Sequence, residues 1–101
     1  MTVFRKRGID HSHFPQRAEF TRLVHAKVEQ ALNIWPTLGK PDYTIVYRKT
    51  GGAMGTCRMR TINGKMVFNL EFSTHAIAQN WNDMANDTIP HEVAHMFDII
   101  I

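Results

Sequence analysis

The chain has 101 residues, 44% of them hydrophobic, with a formal net charge of +3 and a single cysteine, Cys57. That is enough apolar matter for one modest core, so one domain is expected over residues 1–101, and the lone cysteine excludes an intramolecular disulfide and suits a reducing compartment. No apolar run approaches the ~18 residues of a membrane span and no signal peptide is recognisable, which sets the expectation of a cytoplasmic protein with no membrane partner.

Residues 1–13 have no hydrophobic periodicity and carry Arg5-Lys6-Arg7, so they are expected to form a flexible arm. His11 and His13 stand two apart in this stretch, a spacing that suits either a metal on an extended segment or an ordinary surface pair. Pro15 opens a helical pattern with Phe20, Leu23, Val24, Val28, Ala31, Leu32 and Trp35 on one face, and Pro36 closes it. His25 lies beside that stripe and reads as a boundary residue rather than a ligand. Gly39-Lys40-Pro41-Asp42 is a turn.

Three strands follow. Tyr43, Ile45 and Tyr47 alternate with Thr44, Val46 and Arg48. A second strand is expected from about Ala53 to Arg60, where Cys57 reads as a packing residue, and a third from Lys65 to Phe72. Asn63-Gly64 favours a two-residue type I′ hairpin turn, which sets Ile62 opposite Lys65, Met59 opposite Phe68 and Cys57 opposite Leu70. Side-chain character agrees across that ladder: apolar pairs fall on one face, while Arg58 and Arg60 meet Asn69 and Val67 on the other. Ser73 to Asn80 suits a short helix or an irregular loop equally.

From Trp81 onward, Met84, Ala85, Thr88, Ile89, Val93, Met96, Phe97 and Ile100 recur at steps of three and four, the mark of a helix with one buried face. Pro90 cannot donate to the carbonyl of Asn86. Either the helix starts near Asp87 or Thr88 with Pro90 in its first turn, or it runs through with a kink. The expected fold is α+β: an N-terminal helix, a three-stranded antiparallel sheet and a C-terminal helix, with both helices on one face of the sheet.

That last helix carries His91-Glu92-Val93-Ala94-His95, the H-E-x-x-H pattern. Residues at i and i+4 lie about 40° apart in azimuth and about 6 Å apart along a helix, so both imidazoles can turn to one cation. Glu92 is placed to reach a water on that cation, the role of a general base. A shuffled chain of this composition would show the pattern only about 0.01 times. The candidate site is therefore His91 and His95 as Zn²⁺ ligands with Glu92 as the catalytic carboxylate, acting on a protein or peptide substrate.

The charge is polarised along the chain. All twelve Lys and Arg lie in residues 1–65 against four acids, giving +8, whereas residues 66–101 hold five acids and neither Lys nor Arg, giving −5. One reading is a basic surface for nucleic-acid phosphates, with Arg48, Lys49, Arg58 and Arg60 as candidate contacts and DNA as a candidate partner. The other is ordinary solvated charge balancing an acidic half, since no nucleic-acid-binding motif accompanies the basic residues.

Three stretches together resemble the SprT-like zinc metallopeptidases: Tyr43 to Arg48 followed by Gly51-Gly52-Ala53-Met54-Gly55, then Met66-Val67-Phe68-Asn69-Leu70, then Thr88-Ile89-Pro90-His91-Glu92-Val93-Ala94-His95-Met96. They cover about residues 40–97. A proline directly before H-E-[LVM]-A-H looks like that family's signature, and Pro90, Val93 and Ala94 match it. The resemblance implies a zinc-dependent peptidase in which His91 and His95 bind the metal and Glu92 serves as general base and acid. It also implies DNA-associated proteins as a substrate class, because relatives include the Spartan-type proteases that degrade proteins crosslinked to DNA.

Members of that family add a third histidine ligand beyond the motif helix, and often a cysteine-rich zinc module. This sequence holds neither after His95, and His75, Glu71, His11 and His13 are the conceivable substitutes. Met96 to Ile101 ends on β-branched apolar residues with no Gly or Asn cap and no Lys or Arg in the last turn, which raises the expectation of a domain incomplete at its C-terminus. Two other functions fit the residues. One is a non-enzymatic remnant or regulatory module that binds nucleic acid, and the other is an ImmA-like repressor-cleaving protease, which Pro90 and the glycine-bearing strands fit less well.

Overall fold

A computed structural model describes residues 14–36, 39–49 and 54–100. The first element is helix α1 (Arg17–Ile34), followed by strands β1 (Asp42–Arg48), β2 (Gly55–Ile62) and β3 (Lys65–Ser73). Helix α2 (Thr74–Gln79) leads into α3 (Trp81–Asp83), a π-helical stretch (Met84–Thr88) and α4 (Ile89–Ile100). The architecture is α+β, with α1 and α4 on one face of a three-stranded sheet. The expected flexible arm at 1–13 and the glycines at 51 and 52 lie outside the described residues.

The β2–β3 hairpin has the expected register, with Ile62 opposite Lys65, Met59 opposite Phe68, Cys57 opposite Leu70, Arg58 opposite Asn69 and Arg60 opposite Val67. Its turn places Asn63 at φ 53° and Gly64 at φ 80°, the two positive values that a type I′ turn demands.

The expected all-antiparallel sheet is corrected. The strand order is β1-β3-β2, and β1 pairs with β3 in parallel, Asp42 opposite Val67 through Arg48 opposite Ser73. Two facts make this necessary. β3 carries Phe68, Leu70 and Phe72, all almost fully buried, so it gains most from the central position. β1 ends opposite Ser73 and β2 begins opposite Phe72, so the two outer strands meet the same end of β3, two strand spacings or about 10 Å apart, and run in opposite directions. β3 is antiparallel to β2 through the hairpin and must then be parallel to β1. Where the chain re-enters the sheet, the Ser73 amide donates to the Met54 carbonyl at 3.0 Å.

The core lies between the sheet's inner face and the two long helices. Phe20, Val24, Val28 and Ala31 of α1 meet Tyr47, the inner side chains of β3, and Met84, Ile89, Val93, Met96 and Phe97. Phe20 is the hub, in edge contact with Tyr47, Phe72 and Trp81. His25 is an exposed helix residue that shares a hydrogen bond with the Tyr43 hydroxyl, in keeping with a boundary position. Residues 74–79 are helical because Ser73 caps them, its hydroxyl accepting from the Ala76 amide at 3.2 Å.

Pro90 lies in the first turn of α4, which follows directly on the π-helical stretch. The backbone is helical on both sides of it, and the turn ahead of it is widened, with the Ile89 amide bonded to the Met84 carbonyl five residues back. An α-turn would press the pyrrolidine ring onto the carbonyl four residues earlier, and one extra residue in that turn relieves the clash. Among the described residues, no helix is long and apolar enough to cross a membrane.

Candidate metal centre

The first turns after the π-helical stretch carry the motif. His91 and His95 are both exposed, with ring centroids 4.3 Å apart and planes inclined by 48°. Glu92 lies about 100° further round the helix and is only 6% exposed. On this one helix two imidazoles lie side by side on the open face, and one carboxylate-bearing side chain is turned toward the sheet.

Strand β2 presses on that carboxylate. A Cβ added at Gly55 would stand 3.3 Å from Glu92 Cγ, 3.2 Å from Phe72 Cδ1 and 2.8 Å from Thr88 Cγ2. Only a residue without a side chain allows strand and helix so close. Cys57, the next inward residue of β2, stands near the same carboxylate. Burial pushes its thiol up to about 11, and the charge of Glu92 adds to the rise. Such a thiol is protonated at neutral pH and is a poor nucleophile, in keeping with a packing role.

Among the described residues Glu92 makes no hydrogen bond or ion pair. Its open side faces a depression of about 380 Å³ lined by Met54, Gly55, Asp87, Thr88, His91 and Glu92. A buried carboxylate with no partner among the described residues is costly, so its place beside an open cleft and two imidazoles is the chemically informative feature of the fold.

By donor type and separation, the imidazole pair fits a shared Zn²⁺. A catalytic zinc takes three protein ligands, and among the described residues no group of three His, Cys, Asp or Glu side chains comes together to hold a metal. Two of the conceivable third ligands are placed elsewhere. Glu71 points to the outer face of the sheet, between Arg48 at 3.4 Å and Arg58 at 3.5 Å, and His75 is an exposed residue of α2. His11 and His13 lie outside the described residues.

Of the candidate nucleic-acid contacts, Arg48, Arg58 and Arg60 gather on the sheet's outer face, with Lys49 exposed just past β1. Glu71, whose side chain is 13% exposed, is flanked by two of them. Three residues that matter to the site, Gly55, Cys57 and Thr88, carried no catalytic signal in the sequence. The hairpin register did place Gly55 and Cys57 on the inner face, but not which helical residue they meet. Comparison with protein-family models, curated proteins and solved structures returns no match.

Proposed function

We propose that this chain is a zinc-dependent peptidase of SprT-like type, hydrolysing internal peptide bonds. The observation that carries the reading is the division of labour on one helix, with His91 and His95 side by side in the open and Glu92 buried against β2 at the edge of a cleft. His91 and His95 would hold Zn²⁺ through one imidazole nitrogen each. Bound zinc supplies Lewis acidity, polarising a scissile carbonyl and lowering the pKa of a bound water toward ~7.

The protein's own part is proton movement and alignment. A carboxylate oxygen of Glu92 accepts the proton of the attacking water as its oxygen bonds to the carbonyl carbon, then delivers that proton to the amine nitrogen as the C–N bond breaks. Gly55 lets strand β2 lie close to the Glu92 side chain, since a Cβ there would stand 3.3 Å from Glu92 Cγ and 2.8 Å from Thr88 Cγ2. The resemblance adds DNA-associated proteins as a substrate class and Zn²⁺ as the cofactor. A cytoplasmic location fits the single cysteine.

The test is Glu92→Gln on the full chain loaded with zinc. The expected result is loss of peptide hydrolysis by about 10²- to 10⁴-fold with zinc content unchanged. Equal turnover in that variant rules out the mechanism, and a chain that takes up no zinc and cleaves no peptide is a binding module instead.

A further inference from the structure

Strand β2 is an edge of the sheet: among the described residues its one ladder partner is β3. Its other side offers backbone N–H and C=O groups to an incoming extended chain. Residues directly opposite each other in paired strands share a face, and successive residues alternate faces. A peptide added to this edge would therefore turn every second side chain inward, toward Glu92 beside Gly55 and Cys57. The alternate side chains would turn outward and meet Thr56, Arg58 and Arg60.

The outward row is cationic and exposed. The Arg58 side chain is 69% exposed and shares Glu71 with Arg48, whereas Arg60 has no ion pair among the described residues. One carboxylate against three guanidiniums leaves a surplus of positive charge. A depression of about 480 Å³ lies between Arg48 and Arg58, and Gly55 lines both it and the cleft beside His91 and Glu92. The two hollows adjoin across one residue of the edge strand.

We propose that the β2 edge selects extended peptides carrying Asp or Glu at two alternate positions, i and i+2, which lie opposite Arg58 and Arg60. This deepens the peptidase reading and rests on it. By the register of the strand, the two acids fall three and five residues from the peptide residue opposite Gly55. A phosphate backbone is a poorer match to the same face. The two arginines repeat with the period of a strand, and the outward positions of all three strands carry no aromatic ring on which a base would stack.

The probes are two labelled twelve-residue peptides, identical and otherwise uncharged except for Asp or Lys at the two alternate positions. Binding is read by fluorescence anisotropy on the Glu92→Gln chain, and hydrolysis on the unsubstituted chain. The Asp peptide is expected to bind about tenfold more tightly than the Lys peptide, from opposite-charge and like-charge cross-strand pairs at two positions. That margin should shrink as salt rises from about 0.05 M to about 0.5 M. Arg60→Glu, at an exposed residue with no ion pair among the described residues, should narrow it, and Arg58→Glu with Arg60→Glu should reverse it.

Equal binding of the two peptides, or a preference untouched by Arg60→Glu, overturns the proposal. So does an oligothymidylate strand that binds through Arg58 and Arg60 while the acidic peptide does not. Hydrolysis without preference overturns the proposal and spares the peptidase reading. An Asp preference in binding with no hydrolysis of either peptide supports the edge and removes the peptidase reading.

Discussion

Gly55 and Glu92 belong to different elements, and a methyl group placed on the first would lie 3.3 Å from the γ-carbon of the second. The tightest obstacle to that methyl is Thr88 Cγ2 at 2.8 Å. Gly55→Ala is therefore expected to destabilise the fold by about 1–3 kcal/mol through overpacking. Adding Thr88→Ser removes the offending methyl and should restore part of the loss. Urea unfolding of the single and double variants checks this, and a single variant as stable as the parent would show that strand and helix separate freely.

The Cys57 thiol, raised to about 11 first by burial and then by Glu92, should resist alkylation. At pH 8 its thiolate fraction is on the order of 10⁻³, far below that of an ordinary thiol near 8.5, and iodoacetamide should react correspondingly slowly. Glu92→Gln removes the secondary cause and should speed the reaction. Because the folded value lies above the unfolded one, the folded chain holds its proton longer. This contribution to stability is complete below about pH 8.5 and is lost as pH rises through about 11. A reaction as fast as that of free cysteine at pH 8 would contradict both the burial and the neighbouring charge.

Ser73 ends β3 and begins α2. Ser73→Ala should cost about 1 kcal/mol by removing the acceptor for the Ala76 amide at 3.2 Å. Ser73→Asp, which keeps an acceptor at the cap, should recover a part. Chemical denaturation of both variants gives the comparison.

Zinc uptake should depend on both imidazoles. Dialysis against Zn²⁺ followed by elemental analysis should give a lower metal content for His91→Ala and for His95→Ala than for the parent, whereas His75→Ala, on the exposed side of α2, should match the parent. Equal zinc in all four proteins would place the metal elsewhere.

Local pattern reached a long way into this fold. The hairpin register followed from Asn63-Gly64 and side-chain alternation because both signals are contained in a few consecutive residues. The inward residues Phe20, Val24, Val28 and Ala31 of α1 and the helix under His91 followed from periodicity for the same reason, whereas Trp35, expected on that face, lies just past the end of α1 and is 43% exposed. The pairing of β1 with β3 did not, because it depends on which strand gains most by central burial, a competition among segments far apart in sequence. At Pro90 the sequence exposed the conflict but not its resolution, since a kinked α-turn and a widened turn both free the proline ring. The candidate site shows the same limit. Its donors were legible as a five-residue motif, but the press of Gly55 on Glu92 arises only when strand and helix meet.

The central position of β3 also sets an order of assembly. As the chain leaves the ribosome, β1 emerges before its only described strand partner has been made. The β2–β3 hairpin, closed by a two-residue turn, can form on a microsecond scale, while the parallel pairing must wait for the longer loop to close. Until then the apolar residues of β1 are open to other nascent chains, so conditions that slow synthesis between β1 and β3 should lower the yield of native protein without changing the stability of what does fold.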